Sequence, residues 1–462
     1  MKIIVFGIGK VFNKVKHCFY EDKTEVVALV DNSSKLCGNS VDGYMVDVPE
    51  HIQQYQYDYI VITSSCAVEM RQQLIELGIC PEKIIHYKDY IGSLPVETPV
   101  TQMDALNPNV LILSNDFGYH GGAIACISLA RVLRRESYLV TIAVPSAERK
   151  LMEELSSEEG IKVIVIDNLE SLSNENLEWT REYSYVFANT IVMLRCAVKL
   201  AQNRNVYLWI HESIDSYSAN KYWYDEIRNG IEGNKLIIGA VSEVAKKNFL
   251  SFFQTEKEIA ILPYGFDDRY KRSIFSKGSK GNDVTTFIVV ANHAALKGLD
   301  ILLDALDCIP MEAKNKCRFL FVGKANSNEH GKLIKKRIDE TANCEYLGEL
   351  SREKLFEVYS WTDIIIVPSR RDSLPLVAAE AMMLKKPCII SDAVGTAAYI
   401  KHGHNGLIFK SEDREELAGL ICWCLENKAE MASLAENARE TYEKWFTMDK
   451  FRDRIRCACE LL

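Results

Sequence analysis

Three times along this chain of 462 residues a short run of apolar, mostly β-branched residues stops at a glycine-bearing turn and gives way to a helical stretch. The first run, residues 3–6, leads into Gly7-Ile8-Gly9-Lys10. The second starts at Val110 and leads to Gly121-Gly122, and the third starts at Thr285 and leads to Lys297-Gly298. Strand, glycine turn and helix in that order open a βαβ unit, whose strands pair in parallel. Further strands are expected at 26–30, 59–63 and 84–86, and at 162–166, 185–188, 206–210 and 236–240, with another strand and its glycine turn over 319–325. The expected fold class is therefore α/β with parallel sheets. A chain of this length exceeds one hydrophobic core, so several units are expected. Two segments read as linkers: SLPVETPVTQMDALNP, with three prolines, and SKGSKGND at 276–283.

Composition excludes several function classes. A hydrophobic share of 48% with 26% charged residues is that of an ordinary globular chain. The net charge of −9 leaves no basic surplus for phosphates, so no nucleic-acid partner is expected. The 14 cysteines include no CxxC pair and no metal-like spacing with histidine, so reduced thiols and no metal site are expected. Cys422 and Cys424, like Cys457 and Cys459, stand two apart on expected helices, where side chains diverge. The chain opens directly into a strand and has no apolar run of about 18 residues. A cytoplasmic location is expected. On the helix expected at 241–254, Lys246 and Lys247 oppose Val244, Phe249, Phe252 and Phe253. That pattern suits a core-facing helix with a solvated lysine pair; a peripheral contact with anionic lipid at the inner face of a membrane is the alternative.

The stretch from Ser369 to Phe409 carries the most chemistry. Asp372 falls in a loop, Pro375 where a helix begins, Glu380 inside that helix, and a strand at 388–391 follows. Proline suits a first helical turn because its missing N–H would be unpaired there. The N–H groups of Leu376 and Val377 then point out of a positive helix end, which suits a diphosphate. A carboxylate before that end and another inside the helix can hold hydroxyls on either side of the phosphates. A plain capped core helix is the alternative for the same residues.

With two acidic positions separated by seven residues, the second followed by Ala381-Met382, this stretch resembles the signature of family 4 retaining glycosyltransferases of the GT-B fold (glycosyl transferases group 1). The resemblance covers residues 110 to 462, with Asp372 where the family has Glu. It implies two Rossmann-like domains facing a cleft: an acceptor-side domain at 108–275, a donor domain at 283–435, and a last helix, 436–462, packing back on the first of them. It implies transfer of a sugar from a nucleotide-sugar donor (UDP- or GDP-sugar) to a hydroxyl acceptor, a saccharide or lipid-linked saccharide. Configuration would be retained and no metal required, in cell-envelope or capsular polysaccharide synthesis. Lys297, Asp372 and His211 would be catalytic. The donor would also meet Gly121, Gly122, Arg370, Ser373, Leu374, Leu376, Val377 and Glu380, with Glu380 on the ribose. The base would lie near Gly323, Leu347 and Leu350. The family's Arg five residues before the lysine is Asn292 here, and Arg370 or Arg371 is expected to supply that charge.

Residues 1–94 form a small Rossmann-like accessory domain in this reading, preceding the GT-B part. Gly7, Gly9 and Asp31 suit an accessory nucleotide site, but Phe12 stands where the third glycine of a dinucleotide fingerprint would be. A ligand-free accessory domain fits these residues too. Three other functions remain open: a GT-B nucleotide-sugar epimerase, a non-catalytic nucleotide-sugar-binding relative, and an NAD-linked oxidoreductase centred on the first domain.

Overall fold

The computed structural model describes residues 1–20, 24–96, 108–115, 117–118, 121–268 and 284–460. It contains three sheets. The linker expected at 276–283 lies outside the described residues, as does most of the one at 93–108.

The first sheet holds β1 (Lys2–Phe6), β2 (Glu25–Val30), β3 (Ser40–Val41), β4 (Tyr44–Asp47), β5 (Tyr59–Ile62) and β6 (Ile84–His86), in the order β3-β4-β2-β1-β5-β6. All pairs are parallel except β3–β4. Side chains of β1 alternate between two cores: Ile3 and Val5 pack on one face, Ile4 and Phe6 on the other. That is why the run reads as continuously apolar, as strands covered on both faces do. The β3–β4 hairpin was not expected. It turns at Asp42-Gly43, both at positive φ (49° and 87°), as a two-residue hairpin requires. Phe12 is fully buried and stacks on Phe19, so the third-glycine position is filled by core.

The second sheet is wholly parallel: β7 (Asn109–Ser114), β8 (Leu139–Val144), β9 (Lys162–Val165), β10 (Tyr185–Asn189), β11 (Val206–Ile210), β12 (Leu236–Ala240) and β13 (Ile259–Ile261), in the order β13-β12-β11-β10-β7-β8-β9. The third holds β14 (Thr285–Val290), β15 (Cys317–Val322), β16 (Cys344–Gly348), β17 (Ile364–Val367), β18 (Cys388–Ser391) and β19 (Leu407–Phe409), in the order β16-β15-β14-β17-β18-β19. Strand order reverses at β7 and at β14. Ligands of open α/β sheets collect beyond the carboxyl ends of strands at such points. The strand and glycine turn expected over 319–325 are β15, which ends at Val322, and the turn at Gly323, which takes φ +137°.

Three helices close the described chain: Arg414–Glu426, Lys428–Trp445 and Met448–Glu460. The last returns to the second unit. Phe451 stacks on Trp209 at 5.5 Å, and Arg456 donates to Glu136 at 2.6 Å. Gly265 permits this approach, since a Cβ there would lie 2.4 Å from that of Phe451. The helix Glu243–Phe253 starts at Ser242, whose hydroxyl accepts from Ala245 N–H, and buries Phe249 and Phe253 in the core.

The first unit is bolted to the second. Arg195, nearly buried, pairs with Asp89 of the first unit and Glu226 of the second, and stacks on Trp223. The indole of Trp223 donates to Asp89 at 3.0 Å. Asn176 donates to the carbonyls of Gly92 (2.8 Å) and Leu94 (2.7 Å), and a Cβ on Gly92 would collide with Ser171 O at 1.8 Å.

Candidate active site

A cavity of about 540 Å³ opens between the second and third sheets. One wall holds Gly121, Gly122, His211, Glu212 and Tyr264. The other holds Asn292, Lys297, Gly323, Ser369, Asp372 and Leu374 to Val377. These residues stand just past the carboxyl ends of β11, β14, β15 and β17, where the topology predicts a ligand.

On the third-unit wall, Lys297 Nζ lies 2.6 Å from Asp372 Oδ2. Backbone fit brings the two together across 75 residues. Gly298 takes φ +65°, and a Cβ there would sit 2.0 Å from Pro368 O, so only glycine lets the lysine loop pack against the end of β17. Gly395 N donates to Asp372 O at 2.9 Å, and a Cβ on Gly395 would lie 1.7 Å from Ser373 O. Arg370 braces the same loop. It grips Asp300 with two bonds of 2.7 Å, pairs with Glu412, and donates to Ala295 O. The helix Leu376–Met383 begins at the cavity. Pro375 is the extended residue before it (φ −60°, ψ 121°) rather than part of its first turn. The first N–H groups of a helix have no intrahelical acceptor, and those of Leu376 and Val377 stand at the cavity wall.

On the second-unit wall, His211 is 9% exposed and lies flat against Tyr264, with Nδ1 3.1 Å from the tyrosine hydroxyl. Burial holds the Tyr264 phenol protonated, and its contact with Nδ1 fixes the orientation of the His211 ring. Nε2 is buried and has no partner among the described residues. Burial pushes the imidazole down to about 3, so it is neutral at any working pH. Glu212 is pushed up to about 7, again by burial. Its Oε2 accepts from Ile191 N (3.0 Å) and His211 N (3.1 Å). Beside it, Thr190 adopts φ +87°, a strained conformation for a β-branched residue. Its hydroxyl donates to Asn115 at 2.6 Å, and its methyl group meets the space above Gly122.

The structure thus brings together Gly121, Gly122, His211, Lys297, Gly323, Asp372, Leu374, Leu376 and Val377. Several expected members stand elsewhere. Arg370, expected to meet the donor, is off the cavity wall in this structure and pairs with Asp300 and Glu412. Arg371 faces Asp215 across the two units at 3.1 Å. Glu380 is only 2% exposed and does not reach the cavity. It accepts from Arg352 (2.7 Å) and Tyr359 (3.1 Å). Ser373 is buried behind the wall, and its hydroxyl has no partner among the described residues. Leu347 and Leu350 pack on the core beside the cleft rather than lining it. Gly7, Gly9 and Asp31 line a separate cavity of about 390 Å³. The Asp31 carboxylate accepts from Ile8 N (2.6 Å) and Ser33 N (2.7 Å), so it holds its own glycine loop. Glu212 and Thr190 were not singled out from the sequence. The only signal for Glu212 was its place directly after His211 at a strand end; for Thr190 there was none. Among the described residues no group of acidic, histidine or cysteine side chains has the geometry of a metal site, and no helix is long and apolar enough to cross a membrane.

Two parallel α/β units facing each other across a polar cleft, closed by a C-terminal helix that returns to the first of the pair, define the GT-B fold. Comparison with known proteins agrees. Residues 271–441 match the family model of glycosyl transferases group 1, and residues 1–85 match a model described as C2185-like, N-terminal. The chain is 30% identical over 164 residues to D-inositol 3-phosphate glycosyltransferase of Rhodococcus erythropolis, covering 34% of this chain and 37% of that protein. It is 23% identical over 212 residues to N,N'-diacetylbacillosaminyl-diphospho-undecaprenol alpha-1,3-N-acetylgalactosaminyltransferase of Campylobacter jejuni, covering 46% and 50%. The chain therefore spans half or less of the length of these curated relatives. Among solved structures, HepE of Anabaena in complex with UDP-glucose superposes with a TM-score of 0.62 at 19% identity, over 77% of this chain and all of that one.

Proposed function

We propose that this protein is a retaining glycosyltransferase that moves a sugar from a nucleotide-sugar donor to a hydroxyl of a saccharide or lipid-linked saccharide, in cell-envelope or capsular polysaccharide synthesis. The observation that carries the reading is the Lys297–Asp372 pair at the mouth of the Leu376–Met383 helix. A cation and a helix end converge there on a site for a diphosphate, with a carboxylate beside it for sugar hydroxyls. The matched family and the nucleotide sugar in the HepE complex support the donor class.

In this scheme the donor diphosphate takes Lys297 from Asp372 and receives the amides of Leu376 and Val377. Asp372, released, accepts from hydroxyls of the donor sugar. His211 offers its unpaired Nε2 to a hydroxyl of the same sugar across the cleft, and Gly121-Gly122 let the backbone come close. The acceptor oxygen bonds to the anomeric carbon as the carbon–oxygen bond to the diphosphate breaks, and its proton passes to the leaving diphosphate. Glu212, fixed by two backbone amides, stands where the incoming hydroxyl arrives and orients it. Lys297 and the helix amides carry the charge neutralisation, so no metal is called on; transfer abolished by EDTA and restored by a divalent ion would overturn that point. A cytoplasmic site of action, with contact at the inner membrane face, fits a lipid-linked acceptor.

The test is a thermal-shift screen against UDP-glucose, UDP-galactose, UDP-N-acetylglucosamine, UDP-N-acetylgalactosamine, GDP-mannose and NAD(P). A ligand at 100 times its Kd stabilises by about 2.7 kcal/mol. Stabilisation by a nucleotide sugar, lost in Lys297→Ala, is expected. Stabilisation by NAD(P) alone would move the working site to the first unit and end this reading.

A further inference from the structure

The joint between the first and second units encloses more than an interface. Beside the Arg195 network lies a groove of about 930 Å³, against about 540 Å³ for the cleft. One side is a face of the helix Ala67–Glu76, and the other is the segment 221–226. The floor is aromatic and fixed. Tyr222 is half-buried, with its ring 4.8 Å from that of His86, and Trp223 meets the same histidine edge-on at 4.7 Å. The bonds that bolt Asp89, Arg195, Trp223 and Glu226 together hold this floor in place before any ligand arrives. The rim is made of planar polar groups. The Arg71 guanidinium faces the Tyr222 hydroxyl, Gln72 donates to Glu76 at 3.0 Å, and Glu69 is exposed.

We propose that this groove binds the distal sugar units of the acceptor, a neutral or amino-sugar glycan chain, while its end enters the cleft; this rests on the transferase reading above. Sugar rings present apolar C–H faces together with fans of hydroxyls. An aromatic platform edged by amide, guanidinium and carboxylate groups matches both. Of the five carboxylates on the walls, Asp89 and Glu226 are tied to Arg195, which leaves Glu69, Glu76 and Asp225 against Arg71 and Lys221; the groove has no cationic surplus to hold a phosphorylated or uronic acid chain. The volume is right for several ring units rather than one. The groove is also continuous in the chain with the cleft. The segment Ile214–Trp223 leaves the strand end directly after His211-Glu212 and delivers Tyr222 and Trp223 to the groove floor. Tyr217 anchors it midway against Phe249, Phe252 and Phe253.

The experiment is saturation-transfer NMR on the full chain with maltotetraose, cellotetraose and chitotetraose, with glucose and tetragalacturonate as controls. At least one neutral tetrasaccharide is expected to bind, with glucose and the anionic chain failing. Tyr222→Ala should weaken binding about tenfold or more, the loss of one stacking platform. Arg71→Ala, at a rim position, guards against a folding defect in the first variant and should weaken binding less. The proposal is overturned if no neutral tetrasaccharide binds, if both variants bind like wild type, or if tetragalacturonate binds best. UDP-glucose and the other donors are measured in parallel. Donor binding without tetrasaccharide binding removes the groove alone. Tetrasaccharide binding in the groove without any nucleotide-sugar binding removes the transferase reading alone.

Discussion

Two buried histidines face the two sides of the second unit, and they are handled differently. His86, at the joint with the first unit, has its Nδ1 accepting from Lys88 N–H, so the ring caps the helix Tyr87–Ser93 and stacks among Tyr87, Tyr222 and Trp223. His211, at the cleft, has one nitrogen on Tyr264 and the other buried with no partner among the described residues. Burial lowers both, to about 4 and about 3, so titration does not tell them apart. Satisfaction does. A buried polar group without a partner costs about 1–3 kcal/mol, which a fold keeps when a ligand meets it. The same contrast runs through the surroundings. The joint surrounds Arg195 with carboxylates and an indole, whereas the cleft keeps Thr190 strained at φ +87°. The polar groups of the joint are paired before any ligand arrives, whereas His211 in the cleft keeps a buried nitrogen without a partner among the described residues.

Variants on the two sides should break in different currencies. Lys297→Ala removes the cation of the cleft. Transfer should fall about 10²–10³-fold, as for loss of one charge-stabilising donor, with Tm little changed. Equal transfer by this variant, measured at saturating donor, would remove the cleft from the argument. Arg195→Met does the reverse. It leaves Asp89 and Glu226 without their cation and should cost about 3 kcal/mol in urea unfolding, while nucleotide-sugar binding persists. If donor binding is lost along with stability, the joint and the cleft are one cooperative unit and the comparison fails.

Much of this was legible in the sequence, and what was missed has identifiable causes. Continuous apolar runs between glycine turns gave the three parallel sheets, because strands covered on both faces leave that record. β6, β11, β12 and β18 fall on their expected limits. The β3–β4 hairpin was signalled by Asp42-Gly43 but was lost among polar neighbours. Lys297 and Asp372 were expected at one donor site, but their direct ion pair, which the close approach at Gly298 allows, was not. Arg370 and Glu380 carry the right charge at the right spacing, yet partners far away in sequence, Asp300 and Arg352, hold them off the wall. Spacing along a chain says nothing of such competitors. Thr190 is invisible by the same logic: its strain comes from the end of β10 and its neighbours, not from its identity.

Acid and base should separate Glu212 from its neighbour His211. Folding raises Glu212 from 4.5 to about 7, so the folded state holds a proton that the unfolded state has released. Its contribution is present below about 4.5 and is lost as pH rises towards 7, by up to about 3 kcal/mol. His211 has the opposite sign. Its folded value lies below 6.5, so its contribution is present above 6.5 and lost as pH falls. The two offset one another across pH 5–7. Glu212→Gln should therefore gain stability relative to wild type as pH rises, and His211→Asn should gain it as pH falls. Urea midpoints at pH 5 and pH 8 check both, and parallel shifts in the two variants would mean that neither group is enclosed as described.

The smallest effect is expected at the Arg371–Asp215 pair, which joins the third unit to the segment leading from cleft to groove. Both side chains are more than 40% exposed, so the pair is worth no more than about 1 kcal/mol and is screened by salt. Asp215→Ala should leave Tm nearly unchanged at any ionic strength. It should still matter for the comparison, because this is a direct ion pair between the mouth of the cleft and the segment that carries Tyr222. If the segment is rigid by its own packing through Tyr217, acceptor KM will be the same in Asp215→Ala and wild type at low and high salt. A KM that rises in the variant at low salt, and converges with wild type at high salt, would mean that the cleft holds the segment in place. The working surface would then extend beyond the catalytic cavity towards the joint.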